Sequence, residues 1–167
     1  MLNRLENLTK RVGGSHTLVD RWLVERKQLL VAYYNLTGIK PGKGSYMRLN
    51  EKALDDFCQR LVDYLSAGHF SIYEQIIGEM EGESPLLTAR RLCPELADNT
   101  RQIMDYYDSS LENAIDSDSY PAFQQALSDI GEALAARFSL EDTLILMAFE
   151  NPLKPAVSDD TESIRPS

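Results

Sequence analysis

The side chains that most often carry catalysis or bind metals are scarce in this sequence. Its two histidines, His16 and His69, stand at a predicted helix entry and in a predicted turn. Neither forms the Glu-x-x-His spacing of a di-iron helical bundle, and no cysteine–histidine cluster has zinc spacing. No Ser, His and Asp arrangement resembles a nucleophile elbow. The sequence therefore predicts no metal centre and no cofactor site, and it favours a protein that is not an enzyme.

Two further motifs also fail as catalytic or ligand-binding signals. Asp55-Asp56 and Asp63 do not share an inward helical face, because an apolar stripe lies between them. The segment Gly42-Lys43-Gly44-Ser45 lacks the upstream glycine of a phosphate-binding loop, and no predicted strand precedes it. The sequence therefore favours function through a surface over function through a reactive centre.

The fold is organised around one long predicted helix, residues 17–37. Two adjacent apolar rows at helical spacing make a face wide enough for the central helix of a bundle. Thr17 is the predicted N-cap, and Gly38 ends the helix. The only tryptophan, Trp22, lies on the apolar face and is predicted to anchor the core. The two rows are Leu18, Trp22, Leu29, Tyr33 and Leu36, and Val19, Leu23, Leu30 and Tyr34.

The remaining periodic segments are helical too, and no segment has the pattern of a strand. Helices are predicted over 2–11, 51–67, from about 72, from Ser84-Pro85, over 95–116 and over 121–149, with Pro94 ending one helix or beginning the next. The predicted fold class is all-α, a four-helix-bundle core with additional short helices. Residues 1–150 are predicted to form one domain, and residues 151–167, rich in proline and acid, a disordered tail.

Charge is unevenly distributed along the chain, whose net charge is −9. Residues 1–48 hold nine Lys or Arg against three Asp or Glu, and residues 49–167 hold eight against twenty-three. Nucleic acid is a poor partner for so acidic a surface, whereas a basic protein is a better one. Solvated helix faces would give the same composition. The sequence has no membrane-spanning run and no signal peptide, and this predicts a cytoplasmic protein.

Several runs of the sequence resemble the Rsd/AlgQ family of bacterial regulators. The similarity covers residues 1–149 and is weakest around 80–95. It is carried by Leu18-Val19-Asp20-Arg21-Trp22-Leu23, Lys40-Pro41-Gly42-Lys43, Leu54-Asp55-Asp56-Phe57-Cys58, Leu61-Val62-Asp63-Tyr64-Leu65, Gln102-Ile103-Met104-Asp105-Tyr106 and Leu127-Ser128-Asp129-Ile130-Gly131.

The resemblance implies an anti-sigma factor. Such a protein binds the housekeeping sigma factor of RNA polymerase, chiefly the fourth region that reads the −35 element, and keeps it from core polymerase and promoter. A region that reads DNA is basic, so the acidic surface fits this partner by charge complementarity. The expected complex is one-to-one between the sigma factor and a monomer, with no nucleic acid or membrane as partner.

Asp63 is the first candidate for the sigma-factor interface. It is an acid in an otherwise apolar segment, so it is expected near a helix edge where a partner meets both carboxylate and apolar groups. The alternative is an internal salt bridge to Arg21 or Arg26 on the first long helix.

Four further residues are candidate interface residues. Phe70, at the corner between two predicted helices, is either an aromatic anchor for the partner or a packing residue. Arg21, Trp22 and Tyr34 belong to the most recognisable motif of the resemblance, and each is either an interface residue or a packing residue.

A second function, from a different class, is a helical adaptor or small-effector-binding module for another cytoplasmic regulator. In that case a pocket between helices would be lined by the polar residues of the central helix, Asp20, Arg21, Glu25 and Arg26. A pull-down from lysate distinguishes the two functions. Recovery of sigma factor without core polymerase supports the first, and a different main partner supports the second.

Overall fold

The computed structural model describes residues 1–14, 16–38, 51–68, 72–79 and 83–150, and within these ranges every regular element is helical. A π-helical segment, Tyr106–Leu111, joins two of the α-helices into one continuous rod. The all-α class is confirmed, while the four-helix-bundle arrangement and the domain limits stay predictions. The α-helices are α1 (Leu2–Val12), α2 (Thr17–Thr37), α3 (Glu51–Ala67), α4 (Tyr73–Gly78), α5 (Glu83–Asp105), α6 (Glu112–Asp116) and α7 (Tyr120–Glu150).

The central helix α2 has the predicted limits but a different N-cap. His16 holds the extended backbone of a cap residue, and its Nδ1 accepts a hydrogen bond of 3.1 Å from the Leu18 N–H. The prediction that Thr17 is the cap is wrong, because Thr17 is already the first helical residue. Asp20 instead accepts from the Gly14 N–H at 2.9 Å and so ties the preceding turn to the helix.

The predicted helix boundary at Pro94 is also wrong, because α5 continues through this residue. Proline lacks the N–H that would bond to the carbonyl one turn earlier, which normally breaks a helix. Here Ala89, Leu92 and Leu96 are buried on both sides of Pro94, and Pro94 itself faces solvent. Packing of that apolar stripe therefore outweighs the local cost of the proline.

All of the long helices contribute buried side chains to one apolar cluster. α2 packs against α3 and α7, while α5 and the π-helical segment pack against α7. α1 lies on α2 through buried Leu5, Leu8 and Val12. Burying a leucine of this kind contributes about 1.5–3 kcal/mol, so the apolar stripes together hold the helices in place.

Candidate protein-interaction face

A buried group of charged and polar side chains lies behind the outer surface of α2 and α3. The Arg26 guanidinium, fully buried on α2, donates to Asp142 Oδ1 at 2.5 Å and to Glu141 Oε1 at 3.2 Å, both on α7. Tyr64 on α3 accepts from Trp22 Nε1 at 2.9 Å and donates to Glu141 Oε1 at 2.5 Å. These contacts join α2, α3 and α7 at one point, which we call the interior ion cluster.

Opposite charges in the interior ion cluster compensate one another. Burial by itself lowers the pKa of Arg26, but the carboxylates of Glu141 and Asp142 oppose burial, and the pKa of Arg26 lies above its ordinary value. Burial has the opposite effect on a tyrosine: it raises the pKa of Tyr64, and Glu141 adds to the rise. Arg26 is therefore a permanent cation here, and Tyr64 is a neutral hydrogen-bond donor.

Arg137 extends the interior ion cluster towards α4 and α5. Its Nη1 donates to Thr100 Oγ1 at 2.8 Å and to Asn99 Oδ1 at 3.2 Å, and its Nε lies 3.2 Å from Glu141 Oε2. Tyr73 on α4 donates to the same Glu141 oxygen at 2.5 Å. Glu141 thus receives contacts from four side chains on four helices.

Asp63 lies outside the interior ion cluster, on the solvent side of α3. Its Oδ1 accepts a hydrogen bond of 3.0 Å from Gln59 Nε2, one turn earlier. Neither arginine proposed as its internal partner reaches it, since Arg26 is held by α7 and Arg21 is exposed without an ion pair among the described residues. The Asp63 carboxylate is therefore exposed and has no cationic partner within the described part of the chain.

A shallow groove between α2 and α3 contains Asp63. It encloses about 200 Å³ and is lined by Glu25, Gln28, Arg60, Asp63 and Tyr64. Arg60 crosses the groove, because its Nη1 donates to Gln28 Oε1 at 3.0 Å while its Nε is paired with Asp56 of its own helix. The groove floor is therefore fixed by contacts between the two helices.

Exposed apolar side chains also lie on α2, outside this groove. Val24 is 54% exposed and Val31 is 44% exposed, and the two are seven residues apart on one helical face. Tyr34, which the second apolar row places inside, is 38% exposed and follows Val31 by three residues. Val24 lines the groove between α1 and α2, so we give the name α2–α3 face to the groove that contains Asp63 alone.

The remaining candidates divide between interior and surface. Trp22 is 1% exposed and packs 5.8 Å from the Tyr73 ring, between ring centroids, so it serves as the core anchor and does not reach the surface. Arg21 is exposed on α2, three residues before Val24. Phe70 lies outside the described residues. For Asp63, Arg21 and Tyr34 the partner-binding role stays a prediction.

The structure does not bring together the four polar residues that the sequence suggests for a small-effector pocket. Asp20 lies beside a groove between α1 and α2, and Glu25 lines the groove that contains Asp63. Arg26 is buried in the interior ion cluster, and Arg21 is exposed. The four polar side chains thus point in different directions, because they occupy different faces of one helix.

Two charged side chains of the interior ion cluster are not predicted above, although the sequence carries a signal for them. Arg137 and Glu141 are four residues apart, and both fall on the inward face that Ile130 and Leu134 define on α7. Opposite charges at this spacing on an apolar face predict a buried ion pair. The apolar stripe by itself does not reveal this pair.

Comparison with known proteins identifies the class of regulator. The family model described as regulator of RNA polymerase sigma(70) subunit, Rsd/AlgQ, matches residues 1–149. The chain belongs to the Rsd/AlgQ family. It is 71% identical over 160 residues to the regulator of sigma D of Enterobacter sp. (strain 638), an alignment that covers 96% of this chain and 97% of that protein. It is 73% identical over 150 residues to the Salmonella arizonae and Salmonella newport proteins of the same name, with 90% of this chain and 93% of each relative covered.

Membership of the Rsd/AlgQ family makes the chain a regulator of the sigma-70 subunit of RNA polymerase. Within the described ranges, no group of three or more His, Cys, Asp or Glu side chains is arranged to hold a metal ion. No described helix is long and apolar enough to cross a membrane.

Proposed function

We propose that the chain is an anti-sigma factor that acts by occlusion. It binds the housekeeping sigma factor one-to-one, chiefly through the fourth region that reads the −35 element, and so separates sigma from core polymerase and promoter. The protein works in the cytoplasm as a monomer, has no catalytic residue and does not contact DNA. Family membership supports the partner, and occlusion requires only an interface.

We place the interface on the α2–α3 face, and one observation carries this assignment. The carboxylate of Asp63 is exposed, and no cationic side chain pairs with it in the described part of the chain. A DNA-reading surface supplies Arg and Lys, so Asp63 gains an ion pair on binding. Val24 and Val31, exposed elsewhere on α2, are available for apolar contact with the same partner.

The test is Asp63→Asn, with Asp55→Asn as its matched control. Both changes remove one negative charge from α3, but Asp55 lies on another side of that helix. Removing one partner of a central interface ion pair costs about 2–5 kcal/mol of binding free energy. We expect Asp63→Asn to weaken sigma binding with an unchanged melting temperature, and Asp55→Asn to leave binding intact.

Two further measurements make this proposal falsifiable. Raising the salt concentration should weaken the wild-type complex, because ions screen the opposed charges. Excess protein should reduce sigma-dependent initiation in a purified transcription reaction. Unchanged initiation at moderate salt would refute occlusion, and full affinity in a well-folded Asp63→Asn protein would refute the α2–α3 face as its site.

A further inference from the structure

A second cleft lies on α3 away from the α2–α3 face. Glu51, Asp55 and Cys58 follow one another at helical spacing and point into it, whereas Asp63 and Arg60 lie on the other side of the helix. The opposite wall is the π-helical segment with α6. Segments of π-helix are rare and often accompany functional sites.

The second cleft combines an apolar floor with an acidic rim and encloses about 450 Å³. The rim and walls include Tyr107 of the π-helical segment beside Cys58. Lys and Arg are absent from the described lining, although the chain as a whole carries 17 of them. The floor is Leu54, Leu111 and Ile115, and the rim carboxylates are Glu51, Asp55 and Glu112.

The carboxylates of this cleft act on the groups inside it. Burial raises the pKa of Tyr107 to about 12, and Cys58, Glu112 and Asp108 add to the rise. Burial also raises the pKa of the Cys58 thiol, where contact with Tyr107 works against the rise and Asp55 and Glu112 add to it. Among the described residues, none of the rim carboxylates has an ion-pair partner. As far as the described residues go, the cleft is therefore a region of negative potential that no cation offsets.

A cationic side chain with an apolar stem matches both parts of this cleft. Lys and Arg lay their methylene groups on apolar surface while the charged head reaches polar groups, here the rim carboxylates. An amphipathic helix that carries such residues beside leucines fits a cleft between two helical walls. We propose that this cleft docks a basic amphipathic helix of a second protein, at a surface separate from the sigma-factor interface.

The test uses a synthetic amphipathic helical peptide with leucines on one face flanked by arginines, and a scrambled peptide of the same composition. The cleft variant carries Glu51→Gln, Asp55→Asn and Glu112→Gln. Its matched control carries Glu95→Gln, Asp105→Asn and Glu132→Gln, which remove the same charge from exposed positions elsewhere. We expect the cleft variant to lose at least about tenfold in peptide affinity, and the control to change far less, because close charges dominate binding.

Cysteine alkylation gives a second readout on the unmodified protein. Cys58 lines the cleft, whereas Cys93 on α5 does not, so Cys93 serves as an internal reference. Bound peptide should slow alkylation of Cys58 and leave that of Cys93 unchanged. A scrambled peptide that protects Cys58 equally, or equal loss of affinity in the two triple variants, would overturn the proposal.

Two other occupants are outcomes of the same experiments, and either would overturn the proposal. If the cleft variant also loses sigma binding while remaining folded, the cleft belongs to the sigma-factor interface. If neutralising Lys40, Lys43 and Arg48 speeds Cys58 alkylation in the free protein, the chain's own basic segment occupies the cleft. Because the peptide assay contains no sigma factor, it stands or falls independently of the function proposed above.

Discussion

At the scale of single residues, Glu141 is the side chain on which the interior depends most. It is fully buried and accepts hydrogen bonds from Arg26, Tyr64 and Tyr73, while Arg137 lies beside its second oxygen. A buried charge is tolerated only when partners replace the water that it loses. The two buried arginines therefore rely on this carboxylate.

Glu141→Gln should strongly destabilise the protein. The change keeps the shape of the side chain but leaves two buried guanidinium groups with one carboxylate fewer. Breaking a buried ion pair in this way costs about 3–5 kcal/mol of the free energy of unfolding, measured by urea denaturation with an unchanged slope.

The control is Asp56→Asn, which breaks the exposed ion pair with Arg60 one turn away on α3. Exposed pairs of this kind contribute about 0–1 kcal/mol. A loss in Glu141→Gln no larger than in Asp56→Asn would contradict the role given to the interior ion cluster.

At the scale of elements, α2 and α7 approach each other where Gly131 faces Tyr33. A Cβ atom built on Gly131 would lie 2.1 Å from Tyr33 Oη, and that hydroxyl is itself held by the Leu127 carbonyl oxygen at 2.8 Å. The glycine thus serves close packing of two helices. The position requires the absence of a Cβ atom, and not a backbone conformation that only glycine adopts.

Gly131→Ala should lower stability although alanine is the better helix former. Overpacking in a well-packed contact costs about 1–3 kcal/mol, which exceeds the roughly 1 kcal/mol gained in helix propensity. Thermal melting gives the measurement, and Gly78→Ala, whose added Cβ would meet nothing within 4 Å, is the control.

A double variant separates this steric cause from others. Tyr33→Phe removes the hydroxyl nearest to the new methyl group, so its combination with Gly131→Ala should cost less than the sum of the two single changes. Strict additivity would show that the two side chains do not meet.

At the scale of the whole molecule, the buried tyrosines should make stability fall at alkaline pH. Burial raises the pKa of Tyr33, Tyr64 and Tyr73, and it raises that of Tyr107 to about 12. In the unfolded chain these groups titrate near about 10, so above that pH the folded state holds more protons. Their contribution is fully present below about pH 10 and is lost as the pH rises towards the folded values.

Urea unfolding between about pH 8 and 11 measures this dependence. The free energy of unfolding should decrease over the upper part of the range, and Tyr73→Phe should flatten the decrease. A rise in stability over that range would mean that the tyrosines ionise more easily in the folded state.

Residues 152–167 should be dispensable for folding and for binding. This prediction rests on their composition, which is rich in proline and acid and poor in apolar groups. A chain that ends at Asn151 should keep the melting temperature and sigma affinity of the full chain. A large decrease in melting temperature would show that the removed segment packs on the helices.

The sequence by itself determined the class of fold and most of the helix limits. Residues 17–37 and 51–67 are helical with the predicted ends, and the last helix extends the predicted 121–149 by one residue at each end. Helix ends of this kind depend on nearby residues, so a local pattern suffices to find them. The same local logic failed at Pro94, because packing on both sides of the proline carries α5 through it.

Only the tertiary structure decided which charges are internal and which face a partner. Arg26 and Glu141 are 115 residues apart in sequence, and no local pattern pairs them. Because α7 supplies both carboxylates that hold Arg26, the internal partner considered for Asp63 is already taken. The periodicity of α3 places Asp63 near a helix edge, but its freedom to bind a partner depends on a side chain from the other end of the chain.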